Sequence, residues 1–476
     1  MLFNSHVFIF AFLPIVLIGY FLLNHARLIL AGKVWLVCAS LFFYSWWNIV
    51  YLPILVSSIL FNYIIANKIL EYDKQHKNII AKKLIFIVGI VFNIGLLAYF
   101  KYMDFFIDNV NFVFGTKFDL LNLALPLAIS FFTLQQIAFL VDVYEGLIKE
   151  RRFIDYALFV SFFPKLIAGP IVYHKEMMPQ FKSLHNKLFN PKNFSIGLFV
   201  FSIGLFKKVV IADSFAVWAS RGFDIAQTLN FLAAWATSLS YTFQLYFDFS
   251  GYTDMAIGIA LMFNIKIPIN FNSPYKATNI INFWQRWHIT LSRFITSYIY
   301  TPIIKSMPRI TFTNSMIATF LAMFIAGLWH GAAWTFVLFG AMHGIALIIN
   351  HYWRRLKFKM SKFLAWFVTF NFVNISFVVF RATEWEDVIK VLKGMFGFSG
   401  IEFEQPFFAI IEFPRESLDI VVMILCCGAI AFIAKNTIEL MQAFKPNLLY
   451  LVAQPVLLVI SVLYLSTFSE FLYFNF

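Results

Sequence analysis

LIFIVGIVFNIGLLAYF, residues 84–100, runs seventeen positions without a charge. That approaches the roughly 20 apolar residues a helix needs to cross hydrocarbon. The hydrophobicity is continuous rather than alternating, so the segment reads as a helix and not as a barrel strand. Residues 7–23 and 448–465 have the same character. The whole chain agrees: of its 476 residues 61% are hydrophobic and 13% charged, a balance foreign to soluble domains. The expected fold class is an all-α polytopic membrane protein. No internal repeat, low-complexity tract or soluble boundary interrupts it, so residues 1–476 read as one integral-membrane domain.

A formal net charge of +13 raises nucleic acid as a partner, but the Lys and Arg stand in short loops between apolar runs, where the positive-inside rule places them. The partner implied is the bilayer, not nucleic acid. Residues 7–23 lack a basic leader and a small-residue cleavage site after Leu23, so they read as a retained first span. Cys38, Cys426 and Cys427 lie in apolar segments and read as core filler. Spans at 7–23, 33–47 and 52–66 lead to loop 67–83, whose Lys68, Lys74, Lys77, Lys82 and Lys83 place it in the cytoplasm and the amino terminus outside. Residues 84–100 then cross outward, and 120–143 return to Lys149, Arg151 and Arg152.

Residues 153–172 carry Asp155, Pro164, Lys165 and Gly169-Pro170 and read as re-entrant rather than spanning. Residues 230–265 and 315–350 pose a length problem, since each exceeds one span and falls short of two spans and a turn. Basic residues flank both ends of each: Lys207 and Lys208, Lys266 and Lys276, Lys305 and Arg309, then Arg354 to Lys362. Two pinched or broken helical hairpins satisfy both constraints, with 248–251 near one bend and His330-Gly331 near the other. A thinned, polar centre follows. Residues 363–380 cross outward to the acidic loop 381–416, and 418–434 and 448–466 leave the carboxyl terminus outside.

Inside this apolar chain stand FWQRWHITLSR, residues 283–293, and GLWHG, residues 327–331. Ionisable groups at membrane depth need a partner, a cavity or a task. A neutral imidazole at His330 can take a proton from a hydroxyl attacking an acyl carbon; the bland reading is a helix-packing histidine. Trp284, Trp287, His288 and Leu291 share one face of an amphipathic helix over 278–300, where His288 either relays a proton or anchors structure at an interface. Asp248 and Asp254 read as scaffold carboxylates, with Arg286 and Arg293 as the first expected partners. His343 follows His330 by thirteen residues, on roughly the opposite face, and reads as packing; no metal site is expected. No phosphate-binding loop, nucleophile elbow or His-Glu-x-x-His is present.

These stretches, with FPKLIAGP at 163–170, residues 1–20 and 245–258, and FLYFNF at 471–476, resemble the membrane-bound O-acyltransferase family and its bacterial branch of alginate and peptidoglycan O-acetyltransferase membrane subunits. The resemblance covers nearly the whole chain. It implies that His330 matches the catalytic histidine and His288 a second functional position, with Trp284, Arg286, Trp287, Ser292 and Trp329 lining the donor side. It also implies a ring of transmembrane helices, some re-entrant or broken, around a thinned central tunnel in the bacterial inner membrane. The resemblance further implies that no cofactor is bound, that acetyl-CoA or another acyl thioester serves as donor, and that the acetyl group passes to a periplasmic SGNH-type transferase or a cell-envelope polysaccharide. After Tyr300, where relatives often carry a Gly-Gly-Asn-Arg-like loop, this chain reads Thr301-Pro302-Ile303-Ile304-Lys305-Ser306. The alternatives are a D-alanyl transferase fed by a carrier protein, or a transporter of intact acyl or glycan substrate, whose broken helices and midplane polar groups would look alike.

Overall fold

Continuous apolar sequence becomes helix throughout the computed structural model of the chain, which describes residues 1–74, 79–149, 152–401, 414–466 and 472. Lys77, Arg151, residues 402–413 of the acidic loop 381–416 and all of the terminal stretch 471–476 but Leu472 lie outside the described residues. In chain order the α-helices are α1 (Leu13–His25), α2 (Ile29–Ser45), α3 (Leu52–Lys74), α4 (Ile79–Leu97), α5 (Met103–Phe114), α6 (Ile129–Tyr144), α7 (Phe153–Ser161), α8 (Phe163–Leu166), α9 (His174–Lys182), α10 (Pro191–Phe206) and α11 (Asp213–Ser220). They continue as α12 (Phe231–Met262), α13 (Ile280–Trp284), α14 (Ile289–Phe294), α15 (Thr301–Ser306), α16 (Phe312–His330), α17 (Trp334–Arg355), α18 (Lys362–Arg381), α19 (Trp385–Met395), α20 (Pro414–Phe432), α21 (Thr437–Gln442) and α22 (Leu448–Leu463). Single π-helical turns at Phe8–Phe12, Ala98–Tyr102, Lys207–Ala212, Arg221–Ile225 and Ile295–Tyr300 join or extend several of them. Among the described residues, seven helices are long and apolar enough to cross a membrane. This is an all-α, multi-pass membrane protein.

The chain forms two compact units. The first holds residues 1–201 and 253–268. Two pairs of its buried polar groups join helices: Asn62 and Asn93 exchange amide hydrogen bonds between α3 and α4, and Lys33 of α2 pairs with Asp155 of α7 at 2.5 Å. Residues 153–172 contain only α7 and the one-turn α8, too short to span, and are almost wholly buried. That agrees with the re-entrant reading. At the break, the Phe163 N–H donates to Ser40 Oγ at 3.1 Å, so irregular backbone at depth is satisfied by protein. The expected span 120–143 is shortened: α6 begins only at Ile129, because Asn111 and Asp104 side chains accept from the backbone N–H groups of Phe118, Leu121 and Asn122 and hold that segment non-helical.

The second unit holds residues 202–252 and 269–476, and in it two expectations fail. Residues 230–265 are no pinched hairpin: α12 runs unbroken for 32 residues, about 48 Å at 1.5 Å per residue. Nothing in it forces a bend, because it has no proline and Gly251 is used for close packing; a Cβ there would meet the Gly204 carbonyl at 2.7 Å. Lys207 and Lys208 are not loop cations. They sit inside a continuous helical stretch, residues 191–225, that the sequence reading did not list as a span. The other hairpin is present, with α16 and α17 joined across a non-helical break at 331–333.

Candidate active site

Small residues bring α16 and α17 together and so place His330. A Cβ on Gly327 would meet the Phe336 carbonyl at 2.5 Å, and one on Gly340 would meet the Met323 carbonyl at 2.6 Å, so the two backbones approach as only glycines allow. Gly331, which follows His330, is extended and covered by the Phe336 ring. His330 is the last residue of α16, 5% exposed, with its ring 5.0 Å from Trp329, 5.2 Å from Phe380 and 6.0 Å from Phe339.

The expected amphipathic helix over 278–300 is broken into α13 and α14, with His288 at the turn. Its backbone is left-handed, φ +43°, a conformation that costs a β-carbon residue about 1 kcal/mol and persists only when its surroundings impose it. They do so here from residues 270–272. The Asn270 carbonyl accepts from the Ile289 N–H at 3.0 Å, Asn270 Oδ1 accepts from the Thr290 N–H and hydroxyl, and the Asn272 N–H donates to the Arg286 carbonyl. The Arg286 guanidinium closes the loop, donating to Asn282 Oδ1 and the Asn272 carbonyl. Ser292 Oγ donates to the Trp284 carbonyl. Trp287 packs among Phe283, Phe271, Tyr275 and Phe377.

His288 is fully buried, edge-on to Phe249 at 4.8 Å. Burial pushes its pKa down to about 3, its own backbone hydrogen bond opposing. It is neutral at physiological pH and a weak base. Trp329 touches both imidazoles, 5.0 Å from His330 and 6.4 Å from His288. The two sequence-predicted histidines are thus brought into one cluster.

Asp248 and Asp254 part company. Asp248 does not meet the expected arginines; it pairs with Lys208 at 2.7 Å, and Lys208 also holds Asp213 at 2.8 Å. The Leu472 N–H donates to the other Asp248 oxygen at 3.1 Å. Asp254 is buried in the part of α12 that belongs to the first unit.

His343 packs, as its spacing from His330 predicts, and Tyr241 is a residue the sequence reading missed. His343 accepts from Trp284 Nε1–H at its Nδ1, 3.2 Å, and its Nε2 meets Ser376 Oγ at 3.0 Å, while that hydroxyl donates to the Val373 carbonyl. The two bonds fix a neutral tautomer with its proton on Nε2, so this is a packing histidine that also orients Trp284. Tyr241 is fully buried, and its hydroxyl makes no hydrogen bond among the described residues. The Arg381 guanidinium, paired with Asp224 at 2.6 Å, lies over the Phe223 and Tyr241 rings. Arg381 directly follows Phe380, the ring against His330. No local pattern marks Tyr241. Among the described residues no group of His, Cys, Asp or Glu is placed to hold a metal.

Residues 147–383, which hold every group described above except the Leu472 amide, match the model of MBOAT, the membrane-bound O-acyltransferase family. A peptidoglycan O-acetyltransferase of Helicobacter pylori is 49% identical across 100% of this chain and 98% of its own length. The chain belongs to the membrane-bound O-acyltransferase family. As a member it is an O-acyltransferase. A Pseudomonas aeruginosa protein named "Probable alginate O-acetylase AlgI" is 37% identical over 84% of this chain and 75% of its own. A teichoic acid D-alanyltransferase of Streptococcus thermophilus is 29% identical over 56% of the chain and 69% of its own.

Proposed function

We propose that this O-acyltransferase takes an acetyl group from a cytoplasmic thioester, acetyl-CoA, and moves it across the bacterial inner membrane for O-acetylation of a cell-envelope polysaccharide, by way of a periplasmic SGNH-type partner. The observation that carries this reading is the buried His330 at the α16–α17 break, sharing Trp329 with His288. The high identity to a peptidoglycan O-acetyltransferase favours acetyl as the group and peptidoglycan-type glycan as its destination. His330 takes the proton of the acceptor hydroxyl as its oxygen attacks the thioester carbonyl, then returns that proton to the departing thiolate, leaving an ester and a thiol. His288, too weak a base for that step, holds the donor side together with Trp284 and Arg286. Tyr241 and the Arg381–Asp224 pair stand on the acceptor side. A tunnel joins the two sides, and both chain termini lie outside the cytoplasm.

The test is purified protein with acetyl-labelled acetyl-CoA and glycan acceptor, with and without the periplasmic partner. Thioester loss and acetyl ester formation should need wild-type His330, and His330→Ala should fall by about 10²–10⁴-fold while remaining folded in the membrane. Wild-type-like transfer by that variant refutes the assignment. Transfer only from a D-alanyl carrier protein would move the reading to the D-alanyltransferase side of the family, and uptake of chemically unchanged substrate would move it to a transporter.

A further inference from the structure

Between α17 and α18 lies a cavity of about 690 Å³ that the chemistry above does not use, within the range of small-molecule sites. Its walls are apolar. Ile345 and Ile349 of α17 and Val368 of α18 line it and are 50%, 60% and 50% exposed, and the neighbouring Leu364 and Phe367 are exposed too. Both helices qualify as membrane spans, so this outward apolar face meets lipid, and the cavity opens sideways into the bilayer rather than into water.

Its charged end is at the last turn of α17, and Thr278, Asn279 and Thr369 add neutral polar groups to the lining. Arg354 lines the cavity and is exposed, and its guanidinium makes no hydrogen bond or ion pair among the described residues. One turn back, Asn350 also lines it. Met360 lines the cavity just before the amino-terminal turn of α18, a twenty-residue helix whose first N–H groups favour an anion. Charge points the same way: no Asp or Glu stands between Asp254 and Glu384, whereas a dozen Lys and Arg do, with Arg355, Lys357, Lys359 and Lys362 beside Arg354.

We infer that this groove is a specific site for one anionic glycerophospholipid, with an acyl chain along Ile345, Ile349 and Val368 and its phosphate at Arg354. The inference is independent of which acyl group the enzyme transfers. An apolar chain and an anionic head are both required: a basic loop alone would attract any anionic surface, and an apolar groove alone would take any lipid.

The full-length protein, reconstituted in phosphatidylcholine, is photolabelled with phosphatidylglycerol carrying a diazirine on one acyl chain, and in parallel with phosphatidylcholine carrying the same group. Peptides covering residues 345–353 should be labelled at least five-fold more by phosphatidylglycerol. Arg354→Ala should reduce that labelling to the phosphatidylcholine level, Arg354→Lys should retain most of it, and Ala346→Trp, which fills the groove and leaves the cations in place, should abolish it. Equal labelling by the two lipids would mean ordinary boundary lipid and overturn the inference, and this comparison needs no variant. Labelling unchanged in Arg354→Ala would overturn it as well. Displacement of the label by excess acetyl-CoA would assign the groove to the donor's phosphates instead.

Discussion

Replacing Lys208 by Met is the perturbation with the largest consequence legible in the structure. One ammonium neutralises two carboxylates, Asp213 at 2.8 Å and Asp248 at 2.7 Å, and the three side chains are 4%, 7% and 2% exposed. The variant keeps the volume of the lysine stem and leaves two like charges side by side out of reach of water. Removing one partner from a buried pair costs about 3–5 kcal/mol, and here a single deletion unpairs two groups, so the upper half of that range is expected. Since about 1.4 kcal/mol is a tenfold change in equilibrium, the folded-to-unfolded ratio should fall by about three orders of magnitude. The companion variant carries Lys208→Met, Asp213→Asn and Asp248→Asn together. It removes all three charges of the cluster and should recover most of the loss, because a neutral polar cluster is far less costly than an unpaired carboxylate. Thermal or denaturant unfolding of the detergent-solubilised protein measures both. A single variant within about 1 kcal/mol of wild type, or a triple variant no more stable than the single one, refutes the assignment of Lys208 as the ion that holds α12 in its place.

Gly340→Leu should lower stability by about 1–3 kcal/mol and abolish transfer, since its side chain must enter the Met323 carbonyl and Gly327; Gly340→Ala should show the same losses in smaller measure, read from melting and acetyl transfer together. Tyr241→Phe removes a buried hydroxyl that has no hydrogen bond to lose, so melting should hold or rise by up to about 1 kcal/mol, while transfer falls about ten-fold if that hydroxyl meets the acceptor; an unchanged rate would remove Tyr241 from the acceptor side. For His288 the sign is fixed by a folded pKa of about 3 lying below the ordinary 6.5. The unfolded chain takes up this proton first as pH falls, so the contribution to stability is constant above about pH 6.5 and declines toward pH 3, with a limiting slope of about 1.4 kcal/mol per pH unit. His288→Gln should flatten that decline by one proton, measured as melting temperature at pH 7 against pH 5.

What the sequence made legible follows from how local each signal was. The break after His330 was readable because Gly331-Ala332-Ala333 interrupts a stretch too long for one span, and the re-entrant 153–172 because Pro164 and Gly169 spoil a regular helix. The reading of Lys207 and Lys208 as loop cations failed because a lysine in a helix is acceptable when carboxylates face it, and Asp248 stands forty residues further on. That error hid the helical stretch 191–225, and forced residues 230–265 to bend back when they do not. One crossing gained and one turn lost leave the alternation of basic loops unchanged, which is why the charge pattern looked self-consistent. His288 and Trp284 were singled out from the chain, but not their posture: the turn is imposed by Asn270, and Trp284 is held by His343, fifty-nine residues away.

The π turn at Lys207–Ala212 also bears on how this chain tolerates changes in length. A π turn accommodates one more residue than the α-helix around it, so removing a residue there lets the backbone close into ordinary α geometry without a break. The helix survives with its two ends still in phase, whereas the same deletion in the α-helical parts on either side would rotate one end against the other by about 100°, one residue's share of a 3.6-residue turn. Lys208 would keep its carboxylates in the first case and lose register with them in the second. The π turn is therefore the place in this helix where a residue can be lost without silencing the charge network.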